Sequence, residues 1–196
     1  GDVYKRQHFV VAWGINGKEL FALAGLPMSS SAAPIRNNQY YRLPGITWPH
    51  RGAIFSTQFV GRGQIFSTSG KLAFSTSVDM GYICALFNSA IINSLLRLSS
   101  GETRRRNEVG LVSNIPIPNS KQSDRDWMAS SARRCWSLRR SLDAANEVSH
   151  AFVSPGILLV HGDDLLARAV NWNDRVQATL AEFDRIQAEI DDRCFT

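Results

Sequence analysis

The sequence predicts an α+β fold, a mixed β-sheet packed with helices and followed by long helical segments. Residues 40–76 break into short β-rich pieces separated by Gly and Pro. Residues 79–98 carry apolar side chains at helical spacing, and beyond residue 119 the apolar positions recur at three and four.

The elements follow in order. The run FVVAW (9–13) reads as a strand, Gly14-Ile15-Asn16-Gly17 as a turn, and KELFALAG (18–25) as a short helix or second strand. MSSSAAPIRNN (28–38) is small, polar and Pro-containing, which predicts a flexible loop. QYYRL, GITW, GAIFSTQFV, GQIFST and KLAFST then place Phe, Ile, Val and Thr at near-alternate positions. With Gly61-Arg62-Gly63 and Ser69-Gly70 as turns, they predict an antiparallel meander. In DMGYICALFNSAIINSLLRL (79–98), the apolar positions predict one half-buried helix with Asp79 as its N-cap.

The stretch SGETRRRNEVGLVSNIPIPN (100–119) sets Arg104, Arg105 and Arg106 beside an apolar alternation that closes on Ile115-Pro116-Ile117-Pro118. It predicts a charged loop and then a strand over Val109–Val112, stopped by prolines that lack the ladder N–H. Residues 123–148 form a helix with Trp127, Met128, Ala132, Cys135, Trp136, Leu138 and Leu142 on one face. Arg133, Arg134, Arg139 and Arg140 fall on the other. A Pro/Gly-interrupted link (149–162) leads to a second long helix (163–193), whose heptad-like stripe suits packing on its predecessor or on a neighbouring domain.

Residues 1–7, GDVYKRQ, look like the translated end of a sequencing adapter and are set aside. The rest divides into a β-rich unit (8–119) and a helical support (120–196), and the abrupt Cys194-Phe195-Thr196 ending predicts a piece of something longer.

The 196 residues, 44% apolar and 20% charged, suit one sizeable core or two small ones, and no apolar run approaches a membrane span. Cys84, Cys135 and Cys194 are odd in number and lack metal-ligand spacing, which predicts reduced thiols in a cytosolic protein. The formal charge of +5 is uneven. Residues 36–106 hold nine basic and two acidic side chains, whereas residues 107–196 hold ten and thirteen. That asymmetry points to a polyanion-facing surface on a more neutral support.

Catalytic constellations are not apparent. His8, His50, His150 and His161 lack metal-site spacing, and Cys84 and Cys135 fall on apolar helix faces as inert thiols would. Asp163-Asp164 suits a helix start better than an active site, and Gly61-x-Gly63 has no helix after it. Binding signals are stronger. Arg36, Tyr40, Tyr41, Arg42, Trp48, His50, Arg51, Gln58, Arg62, Gln64 and Lys71 interleave basic, aromatic and amide groups. Arginine forks suit phosphates and guanine edges, glutamine suits adenine, and each aromatic alone fits core packing as readily as base stacking. Arg104, Arg105 and Arg106 suit phosphate contact from an exposed loop.

GITWPHRGAIFSTQFVGRGQIFSTSGKLAF, GYICALFNSAIINSLL and EVGLVSNIPIPN, in that order, resemble the C-terminal target-recognition region of adenine-specific DNA methyltransferases. The likeness is to the large fused enzymes, the type IIG restriction-modification proteins and the PglX-like methyltransferases of BREX phage-defence systems. It rests on Gly45-Ile46-Thr47-Trp48, on Tyr82 through Asn88-Ser89 and on Ile115-Pro116-Ile117-Pro118, and it covers nearly all of residues 8–196. It implies a TaqI-like specificity domain over 8–119 that binds double-stranded DNA, a methyltransferase domain elsewhere in the same chain, and a prokaryotic cytoplasm. The candidate DNA-binding residues, read from residue type and clustering, are Arg36, Tyr40, Arg42, Trp48, Arg51, Gln58, Arg62, Lys71, Arg104, Arg105 and Arg106. No NPPY or DPPY motif and no adenosylmethionine-binding Gly motif occurs. The resemblance therefore implies no catalytic residue and no cofactor for this stretch, with S-adenosylmethionine expected in the missing domain. The whole enzyme would flip an adenine out of the duplex and methylate its N6. The alternatives are the specificity subunit of a type I restriction system and a protein-interaction module that does not bind DNA.

Overall fold

A computed structural model describes residues 13–29, 37–52, 54–66, 70–100, 106–149 and 151–195. The fold is mixed α and β, with a small antiparallel sheet and a larger helical part. The described elements run α1 (Lys18–Leu23), β1 (Gly45–Thr47), β2 (Gln58–Val60), β3 (Leu72–Ala73), α2 (Met80–Phe87), α3 (Ala90–Ser100), α4 (Val109–Val112), α5 (Gln122–Asp143) and α6 (Leu165–Phe195). KELFAL is thus helical, and of the expected FVVAW strand only Trp13 lies within the described residues.

The packing is organised around α2. Every residue from Gly81 to Phe87 is buried, so this helix is apolar on all sides and needs neighbours all round. Ile46 and Trp48 supply one neighbour, Met128, Ala129, Ala132 and Leu138 of α5 another, and Ile186 and Ile190 of α6 a third. One apolar cluster therefore runs across residue 119. Burying Ile83, Leu86 or Phe87 contributes about 1.5–3 kcal/mol each. The exposed Arg133–Asp79 pair (2.7 Å) that also joins α5 to α2 is of a kind worth about 0.2–1 kcal/mol, so packing sets the geometry.

The single helix expected over 79–98 is instead two, α2 and α3, bent by 66° at Asn88-Ser89. Asp79 caps α2 as expected, accepting from the Gly81 N–H at 2.6 Å. The break has local and tertiary causes. Ser89 Oγ accepts from the Ile92 N–H at 3.4 Å, a second N-cap, while Asp191 of α6 accepts from the Ala90 N–H at 2.7 Å. Asn88 faces the other way. Its Oδ1 accepts from the Thr57 N–H (2.9 Å) and its Nδ2 donates to the Thr57 carbonyl (3.0 Å). Asn93 Oδ1 likewise accepts from the Phe55 N–H at 2.9 Å. These amides satisfy backbone groups of Phe55 and Thr57, and among the described residues of GAIFSTQFV the sheet strand is Gln58–Val60.

The sheet is not the expected meander. Its order is β2-β1-β3, with Ile46 opposite Phe59 and Ala73 and Thr47 opposite Gln58 and Leu72. Within QYYRL, Asn38–Tyr40 is a 3-10 turn rather than a strand, and GQIFST contributes none among the described residues. The strand expected over Val109–Val112 is a correction too: it is the helical turn α4, with Val112 buried. Val109 is 53% exposed, so a strand there would have had little to bury. Ile115 is buried, and the Pro118 carbonyl accepts from the Tyr82 hydroxyl at 3.3 Å, which lays the proline segment along α2 without pairing it into the sheet.

Both long helices form, but the first ends at Asp143, five residues short of the expected 148. Asp164 starts α6 by accepting from the Ala167 N–H at 2.7 Å. Only the C-terminal half of α6 enters the core, since Ile186 and Ile190 are buried while Leu165 and Leu166 are 68% and 73% exposed. No single described helix is long and apolar enough to cross a membrane.

A Cβ on Gly81 would lie 2.8 Å from the Ala129 carbonyl oxygen and 3.0 Å from Ala129 Cα, so the missing side chain lets the α5 backbone seat directly on α2. We predict that Gly81→Ala destabilises the chain by about 1–3 kcal/mol, read as a fall in the urea midpoint at unchanged slope.

Candidate nucleic-acid interface

Four of the residues singled out in the sequence, Arg42, Arg51, Arg62 and Arg106, are exposed on loops and turns around the sheet. Backbone pairing brings them together two by two. The Arg42 N–H donates to the Gln64 carbonyl (2.9 Å) and the Gly63 N–H to the Arg42 carbonyl (3.2 Å), so Arg42 lies beside the turn that carries Arg62. Arg51 and Arg106 face each other across an isolated antiparallel bridge.

Arg42 has φ 68°, the left-handed region that non-glycine residues seldom occupy, and its guanidinium lies 5.9 Å from the centre of the Trp13 ring. Trp13 begins a chain of rings. Trp13 and Tyr41 lie 5.3 Å apart, Tyr41 and Phe66 4.6 Å, Phe66 and Phe74 6.0 Å, and Phe74 and Tyr40 5.1 Å. Tyr40 stacks on Phe74 at 23° and remains 42% exposed, the most accessible ring of the sequence-predicted set. Gln58 is half-buried in β2 opposite Thr47, which limits its reach.

Trp48 and Lys71 require correction as surface contacts, because they are 3% and 6% exposed. Trp48 packs beside Phe55 in the core and donates through Nε1 to the Asn107 carbonyl at 3.0 Å. Lys71 Nζ donates to the same carbonyl (2.7 Å) and to Glu108 Oε2 (2.9 Å). A buried ammonium needs such partners, and supplying them removes it from the set available to a ligand. Arg36, Arg104 and Arg105 lie outside the described residues.

Asn107 is the position that sequence reasoning missed. Its N–H donates to the His50 carbonyl (2.9 Å) and its Nδ2 to the Pro49 carbonyl (2.9 Å), so all its backbone and side-chain bonds run to residues 48–50 and 71. No local pattern announces it, because every partner is distant in sequence. Glu108 beside it is held below the usual carboxylate range, first by the hydrogen bond from Lys71 and further by the charges of Lys71, His50 and Arg106.

The arginines of the long helices behave differently. Arg133 pairs with Asp79, Arg134 with Glu182, Arg139 with Asp143, Arg185 with Glu189, and Arg193 with Asp124. Arg140 lies over Trp136, Arg168 donates to the Gly162 carbonyl and Arg175 to that of Leu159. Around the sheet, by contrast, no carboxylate lies within ion-pair distance of Arg42, Arg51, Arg62 or Arg106 among the described residues. The charge asymmetry of the sequence is thus sharper in three dimensions: among the described residues five helical arginines form ion pairs with carboxylates, and the four sheet-side arginines form none.

Burial pushes the Cys84 thiol up to about 11, and burial likewise pushes that of Cys135 up to about 11, which makes both poor nucleophiles at neutral pH. No group of three His, Cys, Asp or Glu is placed to hold a metal among the described residues. Comparison with protein-family models and with curated proteins finds no match for this chain.

Lys71→Met should lower stability by about 1–3 kcal/mol in urea unfolding, since it strips one of two donors from the Asn107 carbonyl. The pH dependence follows from two depressed carboxyls. At Asp79, burial pushes upward but the Arg133 and Gly81 hydrogen bonds together outweigh it. Because the folded values of Asp79 and Glu108 lie below their ordinary 3.8 and 4.5, their contribution is complete above about pH 5 and disappears as pH falls through the folded values. Urea midpoints measured from pH 7 to pH 3 should be flat to about pH 5 and then fall, and Glu108→Gln should reduce that fall.

Proposed function

We propose that this chain is the DNA sequence-recognition portion of a site-specific adenine-N6 DNA methyltransferase of the restriction-modification or phage-defence type. The observation that carries the reading is the contrast, among the described residues, between sheet-side arginines that form no ion pair with a carboxylate and helical arginines that are tied into ion pairs or ring contacts. Exposed arginines held on a β framework supply phosphate affinity, and a few of them beside exposed amide and aromatic groups supply base choice. The order of the GITW, NS and IPIP motifs supports the same assignment through the resemblance described above.

In this reading Arg42, Arg51, Arg62 and Arg106, with Arg36, Arg104 and Arg105, grip the duplex beside the target adenine. The methyltransferase domain, elsewhere in the same polypeptide, binds S-adenosylmethionine and carries out the transfer. The α2–α5–α6 packing serves as the rigid support, and the exposed Leu165, Leu166 and Val170 on the N-terminal half of α6 are an apolar face suited to another domain. That face is also what a protein-interaction module would offer, so it does not separate the two readings. DNA binding does.

Fluorescence anisotropy of the folded chain with a mixed-sequence 30-base-pair duplex, across a salt series, should show weak binding that falls steeply as salt rises. Replacing Arg104, Arg105 and Arg106 together by Ala should flatten the salt dependence. Absence of binding at low salt by folded protein, or binding indifferent to salt, sinks the proposal.

A further inference from the structure

The bridge between Arg51 and Arg106 sets two guanidinium-bearing residues opposite each other, which an antiparallel pairing ordinarily avoids because facing like charges destabilise it. The hydrogen bond at this bridge runs between the flanking residues, from the Asn107 N–H to the His50 carbonyl. Arg51 and Arg106 are therefore a non-hydrogen-bonded pair, the type with Cα atoms about 4.5 Å apart and side chains leaving toward the same face. Both are exposed. Glu108 feels the Arg106 charge, but its Oε2 accepts from Lys71 Nζ at 2.9 Å, and no ion pair joins it to Arg51 or Arg106 among the described residues.

The backbone beneath the pair is rigidly tied. Asn107 is bonded to Trp48, Pro49, His50 and Lys71, which fixes the residue after Arg106 to those before Arg51. A pair of like charges held close on a pinned backbone, with no carboxylate ion-paired to either among the described residues, is what a single anion would relieve. Two planar forks approaching from neighbouring positions match the tetrahedral oxygens of a phosphate.

We infer that Arg51 and Arg106 form one shared seat for a single backbone phosphate of duplex DNA, with Asn107 and Lys71 as its positioning residues. The inference rests on the DNA-binding reading above and adds the particular phosphate contact and its stoichiometry. A shared seat is not the sum of two independent contacts: two arginines neutralise one phosphate, so only removal of both takes that phosphate out of the count.

The test uses the full chain and a 30-base-pair mixed-sequence duplex, with folding of every variant checked by circular dichroism. Each phosphate contact contributes about 0.9 to the slope of log affinity against log salt. Arg51→Ala and Arg106→Ala should each weaken binding several-fold with the slope nearly kept, since the remaining arginine still neutralises the phosphate, and the double variant should lower the slope magnitude by about 0.9. Arg51→Lys keeps the charge but loses the fork, and should keep the slope while weakening binding several-fold. Arg185→Ala, on the exposed surface of α6, should change nothing. Additive losses approaching about 1.8 in the double variant overturn the shared seat in favour of two phosphates. An unchanged slope in the double variant, with wild type still binding, overturns the seat and leaves the recognition reading standing. A second measurement needs no DNA. Exchanging chloride for inorganic phosphate at constant ionic strength should raise the Tm of wild type more than that of the double variant, and equal shifts overturn the seat. Failure of the folded wild type to bind duplex at low salt removes the recognition reading together with the seat.

Discussion

A helix with no polar face governs this structure. From Gly81 to Phe87 every residue of α2 is buried, so the chain must wrap it with β1, α3, α5 and α6 before it is stable in water. The small sheet has little core of its own: three short strands with Ile46 as the fully buried side chain among them. It is held because its inner face is one wall of the α2 enclosure. This is why the helical part and the sheet form a single apolar cluster even though their composition and charge differ sharply.

Polar groups at the rim of that enclosure determine which loops are held still. Asn88 and Asn93 act as substitute strand partners for residues 55–57, and Asn107 ties the chain after the arginine run to residues 48–50 and to Lys71. Each satisfies backbone groups that would otherwise be left unpaired near a dry core. The result is an ordered framework under exposed arginines. Charge that would be diffuse on mobile loops is presented from defined positions, which is the physical requirement for contacting a regular array of phosphates.

The parts of the fold that were legible in the sequence are those governed by periodicity and local caps. The three-and-four spacing marks both α5 and α6, Asp79 is an N-cap by residue type and position, and Asp164 begins α6 by the same local chemistry. The errors share a cause. Helical spacing continues through Asn88-Ser89, but Asp191 and Thr57, distant in sequence, draw the backbone and side chain there into other bonds. Alternation over Val109–Val112 suggested a strand, but four residues cannot distinguish a period of two from one helical turn when no partner strand is adjacent. Trp48 and Lys71 looked like ligand contacts because a tryptophan or lysine in a basic β-rich stretch has the same local signature whether it faces a nucleic acid or a core.

By itself the sequence determined the class of fold, the two long helices, the concentration of positive charge in the β-rich half and the absence of methyltransferase motifs, because each is a property of composition or short-range spacing. Tertiary structure alone decided which cations remain available. Ion pairing and burial depend on what lies opposite in space, so Lys71 is consumed by Asn107 and Glu108, and Arg133, Arg134 and Arg139 of α5 by Asp79, Glu182 and Asp143. Arg51 and Arg106, fifty-five positions apart in sequence, become neighbours only because a single bridge aligns them.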